Sequence, residues 1–216
     1  MVGGLGALQE GLQVALGDAS ARLASQVAAA LTPDAPVTGQ LPELRWGLLR
    51  LEFKLAGPKR EIVVWYGPKV AKLASAPAEA EAIIAAAQQA RAALDQSPLE
   101  AAAFIAELAK AYDAARRRAA AEPGAQVPLL TVLRELVLAR QSSLFLADPT
   151  REHFQPYSRV QFSYDLYRAG PRCAVNLGVA AHAQTKRPED HLWVPTSPGG
   201  DGTHFASLAV RERRDG

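Results

Sequence analysis

Apolar and polar side chains alternate between residues 160 and 167, and this pattern constrains the fold more than any other in the chain. Its members are Val160, Phe162, Tyr164 and Leu166, separated by Gln161, Ser163, Asp165 and Tyr167. On a strand the four members of the first set share one face, whereas on a helix the first and third fall opposite the other two. The alternation predicts a β-strand with one apolar side.

Three further segments in the last third of the chain have the composition of strands. They are CAVNLGVAAHA (173–183), HLWVP (191–195) and THFASLAVRER (203–213). The turn sequences AGPR (169–172) and TSPGGDG (196–202) separate members of this set. Together the segments predict a four-stranded antiparallel meander, whose apolar face needs a layer of helices to cover it.

A β-hairpin is predicted earlier in the chain, over about residues 45–66. Residues 48–55 alternate in polarity, residues 62–65 form a mostly β-branched run, and AGPKR (56–60) lies between them. The same Ala-Gly-Pro-basic turn recurs at 169–172. The recurrence indicates either a duplicated hairpin or shared turn chemistry, and the sequence leaves both open.

Helical patterns fill most of the remaining chain. They cover residues 5–31, 78–95, 98–118 and 128–146, with the region from Pro68 to Ala147 interpreted as helical throughout. Ser97, Pro98 and Glu100 form a capping box with a proline start ahead of the third of these helices.

The predicted fold class is α+β, with N-terminal and central helices packed on the antiparallel meander. Residues 1–147 are expected to form a mainly helical region that carries the hairpin at 45–66. Residues 148–216 are expected to form the meander, packed with the helices as one globular unit.

Composition excludes several classes of protein. The 216 residues are 49% apolar and 21% charged, and the net charge of +2 requires no polyanionic partner. Cys173 is the only cysteine, which excludes an internal disulfide framework. The first residues have no basic start, and no apolar run reaches about 20 residues, so we expect a cytoplasmic chain without membrane contact. The abundant Ala, Leu, Arg and Pro indicate a GC-rich, bacterial genome.

No motif predicts a cofactor or a nucleophilic enzyme. GxSxG is absent, and the glycines at 3–6 and 198–202 lack the strand, helix and Lys-Ser/Thr pair of a phosphate loop. We therefore expect no cofactor, and a non-catalytic role over an enzymatic one.

Positive charge concentrates in two segments. Residues 41–75 contain seven bases and three acids, and residues 151–187 contain six bases and two acids. A sheet with basic turns and interleaved rings is a surface on which single-stranded nucleic acid stacks, with Tyr157, Tyr167 and Trp65 as the rings expected toward solvent. The predicted contact residues are Arg159, Tyr167, Arg168, Arg172, Lys186, Arg187, Lys59 and Arg60. The alternative is that these bases are ordinary solvated turn residues.

The four histidines all fall in the last 64 residues and suggest a second kind of site. His182, Asp190, His191 and His204 form a His/carboxylate set of the type that binds zinc or manganese, which would suit a metal-dependent hydrolase or nuclease. No HExxH spacing supports this set, and histidines beside loops are commonly solvent-exposed.

The outer face of the N-terminal helix carries few charges, which suits packing within the chain or against a protein partner or second copy. The function predicted from sequence is therefore a non-catalytic accessory or adaptor protein that contacts single-stranded nucleic acid. The alternative is the metal-dependent hydrolase or nuclease.

Overall fold

The computed structural model describes residues 3–56, 58–96, 100–170 and 175–210, with side chains from residue 17 onward. Over these ranges the chain is α+β, as predicted. The helices are α1 (Gly3–Leu31), α2 (Ala80–Asp95), α3 (Ala101–Arg118), α4 (Leu129–Ala139), α5 (Ser143–Ala147), α6 (Arg159–Ala169) and α7 (His182–Thr185). The strands are β1 (Val37–Gln40), β2 (Glu43–Trp46), β3 (Leu49–Lys54), β4 (Glu61–Tyr66), β5 (Ala71–Pro77), β6 (Val127–Pro128), β7 (Val175–Val179), β8 (Leu192–Pro195) and β9 (Gly202–Val210).

The chain divides into two compact units. The first contains residues 1–96 together with 197–201, and the second contains residues 97–196 and 202–216. The boundary expected near residue 147 therefore falls inside the second unit. Residues 197–201 are the turn between β8 and β9, yet they pack with the first unit.

The first unit contains a five-stranded antiparallel sheet in the order β1-β2-β3-β4-β5. The hairpin predicted at 45–66 is confirmed as β3 and β4, with Leu51 opposite Val64 and Phe53 opposite Ile62. The other three strands were missed. The sequence predicted no strand over residues 32–43, and residues 71–77 fell in the region interpreted as helical.

One face of this sheet is the core of the first unit. Trp46 in β2 is 2% exposed, donates its indole N–H to the carbonyl of Leu31 in α1, and lies under the guanidinium of Arg91 in α2. The period of two along β3 and β4 places the other buried residues on the same face. They are Leu49, Leu51, Phe53, Ile62, Val64 and Tyr66. The opposite face carries the polar residues.

The second sheet is not a simple meander. Its order is β6-β9-β7, and β8 also pairs with β9. Phe205 in β9 is opposite Val179 on one side and Leu192 on the other, so β7 and β8 flank β9 instead of pairing with each other. The three strands predicted after residue 172 are thus confirmed as strands, but their order differs from the prediction.

The strand predicted at 160–166 is wrong, because this segment is helix α6. Ser158 begins the helix by accepting the backbone N–H of Gln161 at 3.1 Å. Phe162, Leu166 and Ala169 follow at helical spacing and are buried, whereas Val160 and Tyr164 lie on another side and are half-buried. The apolar residues alternate with polar ones because side chains on more than one side of the helix are buried or half-buried.

This correction also removes the proposed duplication. Ala169 ends α6, and Gly170 follows it with φ +53, a left-handed conformation that suits glycine. The second Ala-Gly-Pro turn therefore follows a helix and does not join two strands. Shared turn chemistry stays the interpretation of the recurrence.

Helices α3, α4 and α6 cover the second sheet. Their buried side chains form one cluster with those of the sheet, including Phe104, Leu108, Leu136, Phe162 and Leu208. The helix expected at 128–146 is divided into α4 and α5, and Ser142 caps the second part. Helix α3 begins after Glu100, and Ser97 and Pro98 of the predicted capping box lie outside the described residues. In the described part of the chain, no helix combines the length and hydropathy needed to cross a membrane.

Candidate nucleic-acid interface

Arg168, a predicted contact residue, packs within the second unit. Its Nη2 lies 2.6 Å from Oδ1 of Asp165, and its guanidinium lies 4.7 Å from the ring centroid of Tyr164. Asp165 is only 3% exposed and also accepts bonds from the Tyr157 hydroxyl (2.7 Å) and the Gln161 amide (3.0 Å). Burial, followed by the hydrogen bond to Asp165, raises the pKa of Tyr157. These groups stabilise α6 and are not available to a ligand.

Arg159 and Tyr167 also have structural contacts. Arg159 donates a hydrogen bond to the backbone carbonyl of His191, and burial lowers its pKa while Glu189 opposes that shift. Tyr167 is half-buried against the core cluster, with its ring 6.3 Å from that of Tyr164. The predicted basic, ring-bearing sheet face at 159–168 is therefore absent, because this segment is a packed helix.

The other predicted contact residues are more exposed or lie outside the described residues. Lys186 and Arg187 lie on the surface beside α7, and Arg187 is 3.9 Å from Asp190. Lys59 and Arg60 form the exposed turn between β3 and β4 in the first unit, where Lys59 is 3.2 Å from Glu61. Arg172 lies outside the described residues.

The four residues proposed for a metal do not converge. The rings of His191 and His204 are in edge contact at 4.6 Å, and His191 Nδ1 lies within hydrogen-bond distance of the carbonyls of Gln184 and Arg187. His182 is exposed at the start of α7, and Asp190 faces Arg187. Within the described ranges, no group of three or more His, Cys, Asp or Glu side chains is placed to hold one ion.

A shallow groove of about 420 Å³ lies near this histidine pair in the second unit. Arg134, Thr131 and Ser207 line it together with Glu189 and Asp190. Because its two carboxylates outnumber its one guanidinium, this groove does not favour a polyanion.

The outer face of the first sheet brings together the features expected of a nucleic-acid surface. Arg45, Arg50, Trp65 and Lys72 are successive cross-strand partners on β2, β3, β4 and β5. They form a row perpendicular to the strands, which we call the cross-strand row. Strands are about 4.8 Å apart, so the row spans about 14 Å.

Trp65 is the central member of the cross-strand row and is partly exposed, as expected from sequence. Its indole N–H donates to Glu52 Oε2 at 2.9 Å, and Lys54 Nζ lies 6.0 Å from its ring centroid. A β-bulge opposite Trp65 shifts the pairing of β4 with β5, so that Lys72 becomes its partner. The indole is held in one orientation between cations from two neighbouring strands.

The row places two arginines directly opposite each other. Like charges at such positions destabilise a sheet, because the side chains are about 5 Å apart. Arg50 is paired with Glu43 at 2.9 Å and is only 19% exposed, whereas Arg45 is 47% exposed and lies 3.8 Å from Asp201. Arg45 and exposed Lys72 are therefore the cations of the row most accessible to a ligand.

A second row, one pleat away, carries acidic residues. Glu43 and Glu52 are direct cross-strand partners, and both are bound by Lys69. The hydrogen bond from Lys69 is the main cause that lowers the pKa of each glutamate, and the two bonds raise the pKa of Lys69. The outer face therefore combines five bases (Arg45, Arg50, Lys54, Lys69 and Lys72) with three acids (Glu43, Glu52 and Glu61), and Asp201 adds a fourth acid 3.8 Å from Arg45.

Sequence reasoning missed most of this surface. Arg45, Arg50 and Lys72 were counted within the basic segment 41–75, but β2 and β5 were not recognised as strands. The alternation in ELRW (43–46), with Leu44 and Trp46 buried, is the signal that could have placed Arg45 on the polar face.

Comparisons with protein-family models, with curated proteins and with solved structures found no match.

Proposed function

We propose that this chain is an accessory protein that contacts single-stranded nucleic acid through the outer face of its first sheet. The observation that carries the proposal is the cross-strand row, in which a partly exposed tryptophan lies between Arg50 and Lys72. The proposed contact residues are Arg45, Arg50, Trp65 and Lys72, with Lys59 and Arg60 of the adjacent turn.

Stacking is the first physical basis for this proposal. Every base has an aromatic face, and stacking one base on an aromatic side chain contributes about 1–3 kcal/mol without regard to sequence. The fixed indole of Trp65 reduces the conformational entropy that binding would otherwise remove. Bases within a duplex are already stacked, so this mode favours single strands.

Charge is the second basis. Arg45 and Lys72 lie on strands either side of the Trp65–Arg50 pair and would contact phosphates that flank a stacked base. Contact with about three phosphates predicts weak binding, with log K falling against log salt with a slope of about −2. The small positive excess of the face agrees with an accessory role at low affinity.

The adaptor part of the prediction concerns the N-terminal helix. From residue 17 onward, α1 packs through Ala24, Val27 and Leu31, and its remaining side chains are half-buried or exposed. A protein partner on this helix stays a prediction. The metal-dependent hydrolase or nuclease also stays a prediction, with no specific observation in its favour.

Fluorescence anisotropy with a labelled oligothymidine of about 12 nucleotides tests the proposed function. The wild-type protein should bind at about 50 mM salt and lose most of this binding at about 200 mM. Trp65→Ala should weaken binding by about 1–3 kcal/mol, whereas Phe154→Ala, an exposed aromatic residue of the second unit, should not.

Charge reversal provides a second, matched comparison. Arg45→Glu with Lys72→Glu should abolish binding, and Arg22→Glu with Arg117→Glu makes the same charge change at exposed positions of α1 and α3. The proposal is rejected if wild-type protein does not bind at low salt, if duplex binds as tightly as the single strand, or if both pairs have equal effects.

A further inference from the structure

Lys69 is one of two non-glycine residues with positive φ in the described part of the chain. It lies in the turn between β4 and β5 with φ +62, two residues after Gly67 with φ +56. Its backbone N–H bonds to the Gly67 carbonyl at 2.8 Å, and Val70 N–H bonds to the Tyr66 carbonyl at 3.0 Å. This conformation is unfavourable for a lysine, so the contacts of its side chain have to offset the cost.

The turn directs the Lys69 side chain back over the outer face of the sheet. Its Nζ lies 2.7 Å from Glu52 Oε1 and also contacts Glu43 Oε1. These two glutamates are directly opposite each other on β2 and β3, an arrangement that is repulsive without a cation between them.

The position of this ion cluster links it to the cross-strand row. Glu52 accepts the indole N–H of Trp65, and Glu43 pairs with Arg50. Without Lys69, Glu43 would keep only Arg50 and Glu52 only Lys54, at 3.6 Å, as cationic partners among the described residues, so the surface beside the proposed stacking residue would attract a phosphate less. Lys69 therefore neutralises the acidic part of the surface.

We propose that Lys69 is a positioning residue that makes the outer face permissive for a polyanion by neutralising Glu43 and Glu52, without contacting phosphate itself. This inference rests on the proposed function. Lys69 could instead contact a phosphate directly. The two roles are distinguishable, because only a neutralising lysine becomes dispensable when the glutamates are removed.

A double-mutant comparison separates the two roles, with the same labelled oligothymidine as the probe. Lys69→Met should weaken binding roughly fivefold or more, because it exposes two carboxylates at short range. Adding Glu43→Gln and Glu52→Gln to Lys69→Met should restore affinity to within about twofold of wild type. With Lys69 intact, Glu43→Gln and Glu52→Gln should bind more tightly than wild type.

Salt dependence gives an independent readout. The slope of log K against log salt should be unchanged in Lys69→Met, whereas loss of a direct phosphate contact would reduce it by about 0.7. Lys69→Gly is a second variant that removes the charge and relieves the left-handed backbone, so it tests the same inference without backbone strain at this position. Lys110→Met, at an exposed position of α3, serves as the control.

The outcomes distinguish the two proposals. If wild-type protein binds but the triple variant stays as weak as Lys69→Met, or if the salt slope falls, the role of Lys69 is overturned while the proposed function stands. If wild-type protein does not bind, both proposals fall.

Discussion

A Cβ atom placed on Gly200 would lie 2.5 Å from the carbonyl oxygen of Gly47. Gly200 lies in the turn between β8 and β9, and Gly47 lies between β2 and β3 of the first sheet. Both glycines have positive φ, +86 and +57 respectively. The two backbones therefore approach so closely that no larger residue fits at position 200 without a shift.

Gly200→Ala should destabilise the protein by roughly 1–3 kcal/mol, because it combines a left-handed backbone with a backbone clash. Chemical denaturation measures the change. Gly199→Ala is the matched control, since its Cβ would meet only Ser197 Oγ at an ordinary 3.6 Å. Equal stability of the two variants would show that this close approach does not form.

Asp165→Ala should destabilise the second unit by about 3–5 kcal/mol. Removal of this buried carboxylate leaves the nearby Arg168 guanidinium without its 2.6 Å ion pair in a poorly solvated site. Asp113→Ala, at a carboxylate that is 49% exposed, should cost about 1 kcal/mol or less. Thermal unfolding measures the stability of the two variants, and similar melting temperatures would contradict the buried network.

Stability should decrease as pH falls through about 6.5, the ordinary pKa of histidine. Burial, and secondly His191, lowers the pKa of His204 in the folded state, so the unfolded chain takes up the proton first. His191 and the Arg159 bonded to its carbonyl add positive charge nearby, and Glu189 is the acid that offsets it.

Denaturation curves at pH 7.5 and about pH 5.5 test this effect. His204→Gln should reduce the difference between the two pH values, and His182→Gln, at an exposed position, should leave it unchanged. A pH dependence that is identical in wild type and His204→Gln would assign the effect to other groups.

Leu31→Ala should destabilise the first unit by about 2–5 kcal/mol, since Leu31 is fully buried at the end of α1. Gln26→Ala, on the exposed side of the same helix, is the control. The same packing means that a test for a protein partner on α1 should delete residues 1–16 and retain the buried stripe from Ala24 to Leu31. Near-wild-type stability of Leu31→Ala would contradict the packing of α1 on the first unit.

The sequence was sufficient where one local signal matched one element. The hairpin β3–β4 was predicted because alternation, β-branched residues and an Ala-Gly-Pro turn agree. Helices α2, α3 and α4 were predicted from their apolar stripes. In each case the buried face is visible within the segment itself.

Helix α6 was missed because its burial depends on residues distant in sequence. Ser163 donates to the backbone carbonyl of Trp193 at 2.6 Å, and Asp165 is satisfied by Tyr157 and Arg168. Both polar residues are buried, whereas the alternation in the sequence predicted that they face solvent. The cap at Ser158 and the spacing of Phe162, Leu166 and Ala169 were the competing helical signals.

The candidate interface was missed for a related reason. Strand β5 (AKLASAP) is rich in alanine, and its small residues have little preference for strands. Its pairing with β4 depends on the bulge at Trp65, which cannot be read from either strand alone. The cationic composition of residues 41–75 was evident, but the face that it occupies required the register of four strands.

Residues 197–201 belong to the first unit, although they lie far from its other residues in the chain. Fragments and gene rearrangements that divide the chain once therefore divide this unit. A protein truncated after residue 96 lacks the five-residue insert that covers Gly47, so neither unit corresponds to one uninterrupted stretch of coding sequence. A recombination event between codons 96 and 97 would therefore separate the first unit from part of itself.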